Sequence, residues 1–575
     1  MDDSKLYMIP TSRKEMNALG WAQADVILFS GDAYVDHPSF GIAVLARMLQ
    51  AYGYKVALVP QPNWQDDLRD FKKLGQPRLF FGVSAGNMDS MVNHYTANRR
   101  LRSDDAYTPG GRAGQRPDYA AMVYARILKE MFPEVPLVIG GIEASMRRFT
   151  HYDYWQDALR PGILPESKAD ILIFGMAEYP LLSVAEAIKR GAPRAQLMKI
   201  PQTQFLCQNL PETTPMLFLN SHEDCLQDKK AFAENFVQFE HNANAVQELP
   251  VAQKTGGYWL YTNPSMPALS CAKLDKIYDL PYTRKPHPRY KGKPEIPAYQ
   301  MIRHSVNSHR GCFGGCAFCT IVAQQGKWIQ SRSLKSIRRE VNKISQMDDF
   351  RGHITDLGGP SANMYRMKPV DMNVCRNCSR LSCIYPSICK NLNIDHKPLI
   401  DVYQQLMKNP EVKQLTIGSG IRHDLIFGAK GKYREPALQY FRLLVSKHVS
   451  GRLKVAPEHT EKHVLKRMRK PGFELFEQMK VAFDQINRET GKNQQLIPYF
   501  ISGYPGCTIS DMINLVKRSR RLKLIMDQMQ DFTPTPMTLA TVIYYTGTDP
   551  YTGEKVHVPG ANEKRKQRIH SLIRG

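Results

Sequence analysis

The stretch GCFGGCAFCT, residues 311–320, places three cysteines at the spacing C-x3-C-x2-C: Cys312, Cys316 and Cys319. Ordinary electron-transfer clusters are held by four thiolates, so this loop is one ligand short. Three thiolates without a fourth can hold an iron–sulfur cubane in which one iron stays open, and an open iron can bind and reduce a ligand. The two glycines between the first two cysteines suit a loop that wraps closely around a bulky inorganic core. The alternative is that the three cysteines are small buried hydrophobic residues.

A second group of four cysteines follows further along the chain: Cys375, Cys378, Cys383 and Cys389. Four soft ligands in so short a segment can close a tetrahedral zinc site or hold an auxiliary iron–sulfur cluster. The x4 and x5 gaps differ from the paired C-x2-C of common zinc modules, so the pattern leaves the metal open. A set of buried structural thiols is the alternative.

Length and cysteine usage bound the class of protein. A chain of 575 residues should hold several domains. Its eleven cysteines are clustered and odd in number, which favours metal ligation in a reducing cytoplasm over a disulfide framework. The first residues, from Met1, do not form a secretory signal, and no apolar run reaches the roughly 18 residues of a membrane span. We therefore expect a cytoplasmic protein without a membrane partner.

The net charge of +24 is unevenly distributed. Residues 1–200 carry 24 Lys and Arg against 22 Asp and Glu, so nearly all of the excess lies in the remaining residues. Such an excess favours a polyanionic partner, either RNA or an anionic, phosphorylated substrate. A generically basic surface is the alternative, and no arginine-rich tract decides between them.

The first 200 residues alternate strand and helix patterns. Five short apolar runs predict strands at residues 25–30, 55–59, 78–83, 136–140 and 170–175. Because the runs are continuous rather than alternating, the strands should be covered on both faces, which predicts a doubly wound parallel sheet of an α/β protein. Residues 96–118 are polar and lack periodicity, which predicts a disordered loop or a functional lid. Residues 201–302 are predicted to be a connector that contains a helix.

A second alternating pattern occupies residues 303–560. Six strand runs separated by helical segments fit a partial (β/α)6 barrel, in which the chemistry gathers at the carboxyl ends of the strands. The four cysteines at 375–389 form an insertion after the second strand. Residues 561–575 are predicted to be a basic tail.

The three-cysteine loop resembles the C-x3-C-x-aromatic-C signature of radical S-adenosylmethionine (SAM) enzymes, with Phe318 as the aromatic residue. The resemblance implies that Cys312, Cys316 and Cys319 hold a 4Fe-4S cluster whose open iron chelates SAM. It implies reductive cleavage of SAM to methionine and a 5′-deoxyadenosyl radical, with Phe318 near the adenine. It also implies a one-electron reductant, such as flavodoxin or ferredoxin, as a partner.

Two loops after predicted barrel strands extend this resemblance to SAM binding. Gly358 and Gly359 resemble a Gly-Gly-Glu motif whose backbone carbonyls bind the amino group of SAM, although Pro360 replaces the acidic residue. A simple turn is the alternative. Ser419 is suited to the ribose, and Arg422 is suited to the SAM carboxylate because a guanidinium binds both oxygens. A turn with a surface arginine is the alternative.

Two residues near later strand ends complete the candidates. Glu458 is placed like the polar residue that contacts SAM in related barrels, and a helix-entry role before Thr460 is equally compatible. Cys507 lies in a loop that resembles Gly-x-Pro-Gly-Glu-Thr, where it replaces the acidic residue. Its thiol is suited to hydrogen-atom donation or to simple packing, and the pattern favours packing.

Over its whole length the chain resembles the YgiQ family of radical SAM proteins. The resemblance implies a cobalamin-binding-like N-terminal domain followed by the radical SAM barrel, on landmarks at residues 38–41, 138–143 and 175–178. The cobalamin lower-ligand motif Asp-x-His-x-x-Gly is not matched, because His37 directly follows Asp36. Cobalamin is therefore only a weak expectation, and His37 is predicted to be a loop histidine. Many family members extend beyond this C-terminus.

Three functions remain open from the sequence. The first is a radical SAM enzyme whose substrate the sequence does not reveal. The second is a non-catalytic iron–sulfur or zinc protein that binds RNA through its basic half, and salt-dependent RNA binding without SAM cleavage would favour it. The third is a radical enzyme that modifies RNA.

Overall fold

The structure is a computed structural model, which describes residues 8–212, 215–526 and 528–572. The chain divides into two compact units. The first comprises residues 1–238, 248–267 and 276–303, and the second comprises residues 239–247, 268–275 and 304–575. Residues 1–7, where the sequence predicts no secretory signal, lie outside the described residues. So do the last three residues of the predicted basic tail.

The first unit is built on a large β-sheet. Its described strands are β1 (Val26–Ser30), β2 (Val56–Pro60), β3 (Phe80–Ser84), β4 (Leu137–Gly140), β5 (His151–Asp153), β6 (Ala158–Arg160), β7 (Ile171–Ile173), β8 (Thr203–Cys207), β9 (Leu217–Leu219), β10 (Val251–Thr255) and β11 (Tyr258–Thr262). Nine of them form one sheet in the order β2-β1-β3-β4-β7-β8-β11-β10-β9, and β5 pairs with β6. Strands β1 to β4 and β7 are mutually parallel, and they are the five strands that the sequence predicts.

Both faces of this sheet are buried, as the apolar runs predict. Along β1, Val26 and Leu28 belong to one apolar core, whereas Ile27 and Phe29 belong to another. Successive side chains of a strand point to opposite faces, so the two cores lie on the two sides of the sheet. The doubly wound fold class is confirmed.

The helices along residues 8–303 cover these faces or connect the strands. They are α1 (Arg13–Ala18), α2 (Gly41–Ala51), α3 (Arg69–Lys72), α4 (Ser90–His94), α5 (Ala120–Met131), α6 (Gly141–Met146), α7 (Ile163–Ser167), α8 (Glu178–Lys189), α9 (Arg194–Leu197), α10 (His222–Gln227), α11 (Lys229–Asn244), α12 (Cys271–Tyr278) and α13 (Pro297–Ile302).

Residues 201–302, which the sequence predicts as a connector, supply four strands of the same sheet. Strands β8, β11 and β10 pair antiparallel with one another in that order, and β9 pairs parallel with β10. Polar residues hide these strands from a search for apolar runs. Gln253 on β10 is buried, and its amide accepts from the Thr150 N–H at 2.8 Å and donates to the Asn220 carbonyl at 3.0 Å. A buried amide with both partners satisfied packs in a core although it breaks the apolar pattern.

The second unit contains the remaining described strands. They are β12 (Ser305–Asn307), β13 (His309–Arg310), β14 (Gln330–Ser331), β15 (His353–Ile354), β16 (Asp356–Gly358), β17 (Lys368–Pro369), β18 (Leu392–Asn393), β19 (Gln414–Leu415), β20 (Arg452–Glu458), β21 (Gln495–Ser502) and β22 (Gln528–Asp531). Parallel pairing joins β12 to β16, β15 to β19, β20 to β21 and β21 to β22. A parallel bridge between Ile421 and Val455 links the two halves. This succession of six parallel strand positions is the predicted partial (β/α)6 barrel.

The helices of the second unit connect these strands. They are α14 (Ile321–Gln325), α15 (Leu334–Ser345), α16 (Met372–Arg376), α17 (Lys397–Leu406), α18 (Asp424–Phe427), α19 (Arg434–Leu443), α20 (Lys462–Met468), α21 (Glu474–Thr490), α22 (Ile509–Arg521), α23 (Leu539–Thr546) and α24 (Ala561–Leu572). The predicted basic tail thus begins as a helix, in which Gln567 is fully buried. In the described part of the chain, no helix combines the length and the apolarity that crossing a membrane requires.

Candidate active site and metal-binding cysteines

The three-cysteine loop lies between β13 and α14, just beyond the carboxyl end of the first barrel strand. Cys312 is buried, and Cys316 and Cys319 are half-buried. Gly315 has a φ of +62°, and a Cβ at this position would lie 2.6 Å from the carbonyl oxygen of Leu381. Both the left-handed backbone and the close approach require glycine here. The loop is therefore tightly packed around its three thiols.

The three thiols lie close enough to affect one another. The pKa of Cys319 is raised to about 12. Burial is the main cause, and the charges of Cys316 and Cys312 contribute to the same shift. Burial also raises the pKa of Cys312, although the positive charge of Arg422 opposes this. Without metal the buried thiols are thus protonated at neutral pH, and metal binding must release their protons. Three adjacent thiols with no fourth fit a cubane that keeps one iron open.

Arg422 lies beside the cysteines rather than at an open carboxylate site. Its Nη1 donates to the Sγ of Cys316 at 3.2 Å, and its Nε and Nη2 donate to the two carboxylate oxygens of Asp424 at 2.9 and 2.5 Å. Burial raises the pKa of Asp424, but the charge and hydrogen bonds of Arg422 outweigh this and hold it well below its usual range. The fork that the sequence offers to the SAM carboxylate is therefore already bound to Asp424.

The Gly358-Gly359 turn is shaped by residues of the first barrel strand. The Gly358 carbonyl accepts from the Ser308 N–H at 2.7 Å and from the Ser308 hydroxyl at 3.1 Å, so both of its lone pairs are used. The bare carbonyl that the sequence predicts at Gly358 is thus not available. At Gly359 an added Cβ would lie 2.7 Å from the imidazole of His309, so no side chain fits. Sequence reasoning missed His309, because nothing local to it signals this contact.

Ser419 is linked to the strand that ends at Gly358 by a hydrogen bond to Asp356. The sequence does not predict a role for Asp356. The Ser419 hydroxyl donates to the Asp356 carboxylate, which further accepts from the backbone N–H groups of Gly418 at 2.8 Å and Ser419 at 3.1 Å. Burial raises the pKa of Asp356, against these hydrogen bonds. Asp356 is half-buried and is a second polar group suited to sugar hydroxyls at this strand end. Its position directly before the Gly-Gly pair could have identified it.

Glu458 is close to the cysteine loop, since its charge raises the pKa of Cys319 after burial and the neighbouring thiols. It ends β20 with a φ of +68°, which is strained for a residue with a side chain. Its Oε1 lies 3.4 Å from the Nζ of Lys470, which also donates to the Ala456 carbonyl at 2.8 Å. Such strain is held only where the surroundings fix the residue, and here Lys470 contacts its carboxylate.

Phe318 is half-buried and packs edge-on against Tyr504, with the ring centroids 6.2 Å apart. Cys507 is fully buried, and its Sγ lies 3.5 Å from the Nε2 of His459. Burial raises the pKa of Cys507 and lowers that of His459 to about 3, so this thiol and imidazole are both neutral. A neutral, fully buried thiol fits packing rather than catalysis.

The four-cysteine insertion contacts the three-cysteine loop directly. The Ser382 hydroxyl donates to the Gly314 carbonyl at 2.7 Å, and the Cys383 N–H donates to the Phe313 carbonyl at 3.1 Å. Among the described residues, no three His, Cys, Asp or Glu side chains converge so closely that they could hold one metal ion. The seven cysteines of the two groups are all among these residues.

The first unit offers the other place where a cofactor would be expected from the fold, at the carboxyl ends of its parallel strands. Arg116 is fully buried there and forms ion pairs with Asp32 at 2.8 Å and Asp105 at 2.9 Å. An added Cβ at Gly86, after β3, would overlap the Asp32 carboxylate. Residues 96–118, predicted as a disordered loop or lid, thus fill this edge with Asp105 and Arg116. The ion pairs thus occupy the strand ends at which the fold would place a cofactor.

The loop after β1 is fixed by its own polar side chains. His37 is fully buried, and its Nδ1 accepts from the Ser39 N–H at 3.0 Å, as expected for a loop histidine. The adjacent Asp36 is paired with Arg47 at 2.5 Å inside the unit. Both side chains hold the loop closed.

Two protein families match the chain. The family described as Radical SAM N-terminal matches residues 8–305, and the one described as Domain of unknown function (DUF3362) matches residues 527–574. A UPF0313 protein of Porphyromonas gingivalis is 56% identical over 570 residues, covering 98% of this chain and 90% of the relative. One of Bacteroides thetaiotaomicron is 54% identical over 564 residues, covering 95% and 91%.

A solved structure shares the fold. The radical S-adenosylmethionine methyltransferase TsrM of Kitasatospora setae, with cobalamin and a [4Fe-4S] cluster bound, superposes with a TM-score of 0.50 at 15% identity. The match covers 90% of this chain and 74% of TsrM. At 15% identity the likeness shows a shared fold and no more. The cobalamin and the cluster are cofactors bound by TsrM.

Proposed function

The chain belongs to the UPF0313 family and carries the N-terminal domain of radical SAM proteins, and from this premise we propose that it is a radical SAM enzyme. In this proposal Cys312, Cys316 and Cys319 hold a 4Fe-4S cluster. Such a cluster, when bound, supplies the electron that cleaves SAM to methionine and a 5′-deoxyadenosyl radical. The substrate of that radical is outside the proposal.

One observation carries the proposal: three thiols share one tightly packed loop at the carboxyl end of the first barrel strand. Their mutual effect on the pKa of Cys319 supports a common ligand. Arg422 donates a charged N–H to the Sγ of Cys316 at 3.2 Å, and such a donor suits a sulfur that ligates iron. These residues supply the thiol ligands and a charged donor for a cluster with one open iron.

We infer that SAM binds across the adjacent strand ends. Ser419 and Asp356 present a hydroxyl and a carboxylate suited to the ribose, and Glu458 presents a carboxylate near the cysteine loop. The half-buried ring of Phe318 is suited to stack near the adenine. The turn at Gly358 and Gly359 lets a ligand approach the backbone, although the Gly358 carbonyl itself is already bonded.

Anaerobic reconstitution with iron and sulfide tests the proposal. The wild-type protein should bind iron, show brown absorbance, and release 5′-deoxyadenosine from SAM when dithionite is added. The variant Cys312→Ala/Cys316→Ala/Cys319→Ala should lose this activity at least about 100-fold, whereas Cys271→Ala, an exposed cysteine outside both groups, should retain it. Well-reconstituted wild-type protein that forms no 5′-deoxyadenosine would refute the proposal.

A second candidate function is radical chemistry on RNA or another polyanionic substrate. Helices α22 and α24 pack against each other and carry exposed cations: Lys517, Arg520, Arg521, Arg565 and Lys566. An RNA of random sequence, labelled for fluorescence anisotropy, should bind with an affinity that falls with rising salt. The variant Arg565→Glu/Lys566→Glu should weaken this binding. RNA binding by protein that does not cleave SAM would instead favour a non-catalytic RNA-binding function.

A further inference from the structure

The four-cysteine insertion is the second place in the described chain where metal-ligating side chains gather. The Cys378 N–H donates to the Cys375 carbonyl at 3.2 Å. Asn391, two residues after Cys389, donates from its side-chain amide to the Cys375 Sγ at 3.4 Å. The backbone joins the segment, since the Cys389 N–H donates to the Cys383 carbonyl at 2.8 Å. All four thiols therefore share one neighbourhood.

Four thiolates suit either a structural zinc ion or an iron–sulfur cluster. Zinc has no redox chemistry, so only a cluster at these cysteines could pass an electron to a neighbouring site. Because four cysteines are present, every iron would be held and none would be open, as in electron-transfer clusters.

Hydrogen bonds connect this segment to the three-cysteine loop. The Cys383 N–H donates to the carbonyl of Phe313, the residue that follows Cys312, at 3.1 Å. Ser382 fixes the same contact through its 2.7 Å hydrogen bond to Gly314. One hydrogen bond and one peptide unit thus separate a cysteine of each group, which is a short path for an electron.

A buried cation lies beside the four cysteines. Lys327 is 6% exposed, and its Nζ donates to the Arg380 carbonyl at 2.6 Å. Arg380 lies between Cys378 and Cys383, so this positive charge is next to the insertion. A fixed positive charge stabilises the reduced, more negative form of a cluster and so raises its reduction potential.

We propose that Cys375, Cys378, Cys383 and Cys389 hold a second 4Fe-4S cluster that receives electrons for the three-cysteine loop. A one-electron donor of the flavodoxin or ferredoxin class is oxidised by one electron. The cluster at the four cysteines would be reduced by that electron. It would then return to its oxidised form by passing the electron across the Cys383–Phe313 hydrogen bond to the cluster at the three-cysteine loop, with no proton or leaving group involved. The relay role and the choice of iron rest on the proposed function, whereas the metal site stands without it.

Metal and sulfide counts on anaerobically reconstituted full-length protein test the site. Wild type should bind about eight irons and eight sulfides per chain, and both Cys312→Ala/Cys316→Ala/Cys319→Ala and Cys375→Ala/Cys378→Ala should bind about four. Cys271→Ala should match wild type. Stoichiometric zinc or no metal in the first variant would overturn the proposal. If that variant keeps four irons while wild type cleaves no SAM, the proposed function fails and the second site stands.

The relay is tested by the choice of reductant. With flavodoxin as donor, Cys375→Ala/Cys378→Ala should cleave SAM at least about tenfold more slowly than wild type, whereas with dithionite, a small reductant, the rates should agree within about threefold. Equal rates with flavodoxin would overturn the relay. Lys327→Gln keeps all cysteines and replaces the double variant if that variant does not fold. Its iron count should match wild type, and the reduction potential of the cluster at the four cysteines should fall. The exposed Lys343→Gln should change neither.

Discussion

Arg422 contacts both Cys316 and the buried carboxylate of Asp424. A substitution here can distinguish a role in donating to the cysteine sulfur from a role in binding the SAM carboxylate. If its donation to Cys316 matters, Arg422→Lys should lower the reduction potential of the cluster, because the oriented N–H donor to sulfur is lost. The SAM dissociation constant should then change by less than about threefold. This change is much smaller than the one expected if Arg422 lost a charged hydrogen bond to the SAM carboxylate. An EPR-monitored redox titration and SAM equilibrium dialysis measure both quantities.

Arg442→Lys is the matched control, since Arg442 pairs with Glu489 on the surface and lies on another element. It should leave the potential and the SAM affinity unchanged. An unchanged potential together with a SAM affinity that drops strongly in Arg422→Lys would restore the carboxylate role that the sequence predicts for Arg422.

Gly359 is the second residue whose role depends on a neighbour from another strand. In Gly359→Ala the new methyl group would overlap the His309 imidazole, and the clash should cost about 1–3 kcal/mol of unfolding free energy. Gly420→Ala is the matched control, because a Cβ there meets no atom within 4 Å, and it should change stability by less than about 0.5 kcal/mol. Urea unfolding measures both, and equal values would contradict the packing argument.

At the scale of elements, a buried amide helps to fix helix α24 to the barrel. The Oε1 of Gln567 accepts from the Gly503 N–H at 2.8 Å, and its Nε2 donates to the Cys507 carbonyl at 2.9 Å. Gln567→Ala should destabilise the protein by about 1–3 kcal/mol, because it leaves a buried donor and a buried acceptor unpaired. Thermal and urea unfolding measure the change. Lys566→Ala, on the exposed face of the same helix, should be near neutral, and equal losses would mean that the helix is not docked as described.

The carboxyl edge of the N-terminal sheet is the second element with a testable consequence. Its space is filled by the Arg116 ion pairs with Asp32 and Asp105, so the full-length protein should not retain cobalamin. After incubation with hydroxocobalamin and desalting, the protein fraction should lack corrinoid absorbance. TsrM, which binds cobalamin, checks the procedure. A stoichiometric corrinoid that survives desalting would show that these ion pairs open.

At the scale of the whole molecule, the sequence predicts what repeats locally and misses what meets across the fold. The five parallel strands and the barrel follow from apolar runs, and the three-cysteine loop follows from spacing alone. The position of His309 behind Gly359 and the pairing of Arg422 with Asp424 carry no periodic signal. Strand β10 was missed because buried Gln253 interrupts its apolar pattern. Tertiary hydrogen bonds thus decide the details that local patterns leave open.

Buried histidines give the whole molecule a defined response to acid. Burial is the main cause that lowers the pKa of His309 to about 4 and those of four other histidines to about 3: His151, His396, His423 and His459. In the unfolded chain these groups bind protons near pH 6.5. Their contribution to stability is therefore fully present above about pH 6.5 and is lost as the pH falls toward 4, because the unfolded state then binds more protons.

Melting temperatures between pH 8 and pH 4.5 should accordingly fall steeply below about pH 6.5, and one histidine can be removed to test the cause. His396→Gln should lower stability at pH 8, where it disturbs the packing of a fully buried ring against Tyr440 at 4.9 Å. It should also make the decline below pH 6.5 shallower, because one proton fewer is taken up on unfolding. Tyr440→Phe alters the same buried ring pair without removing a group that titrates in acid, and it should leave the slope as in wild type. If both variants keep the wild-type slope, the acid response arises from other groups, and the buried rings are not its source.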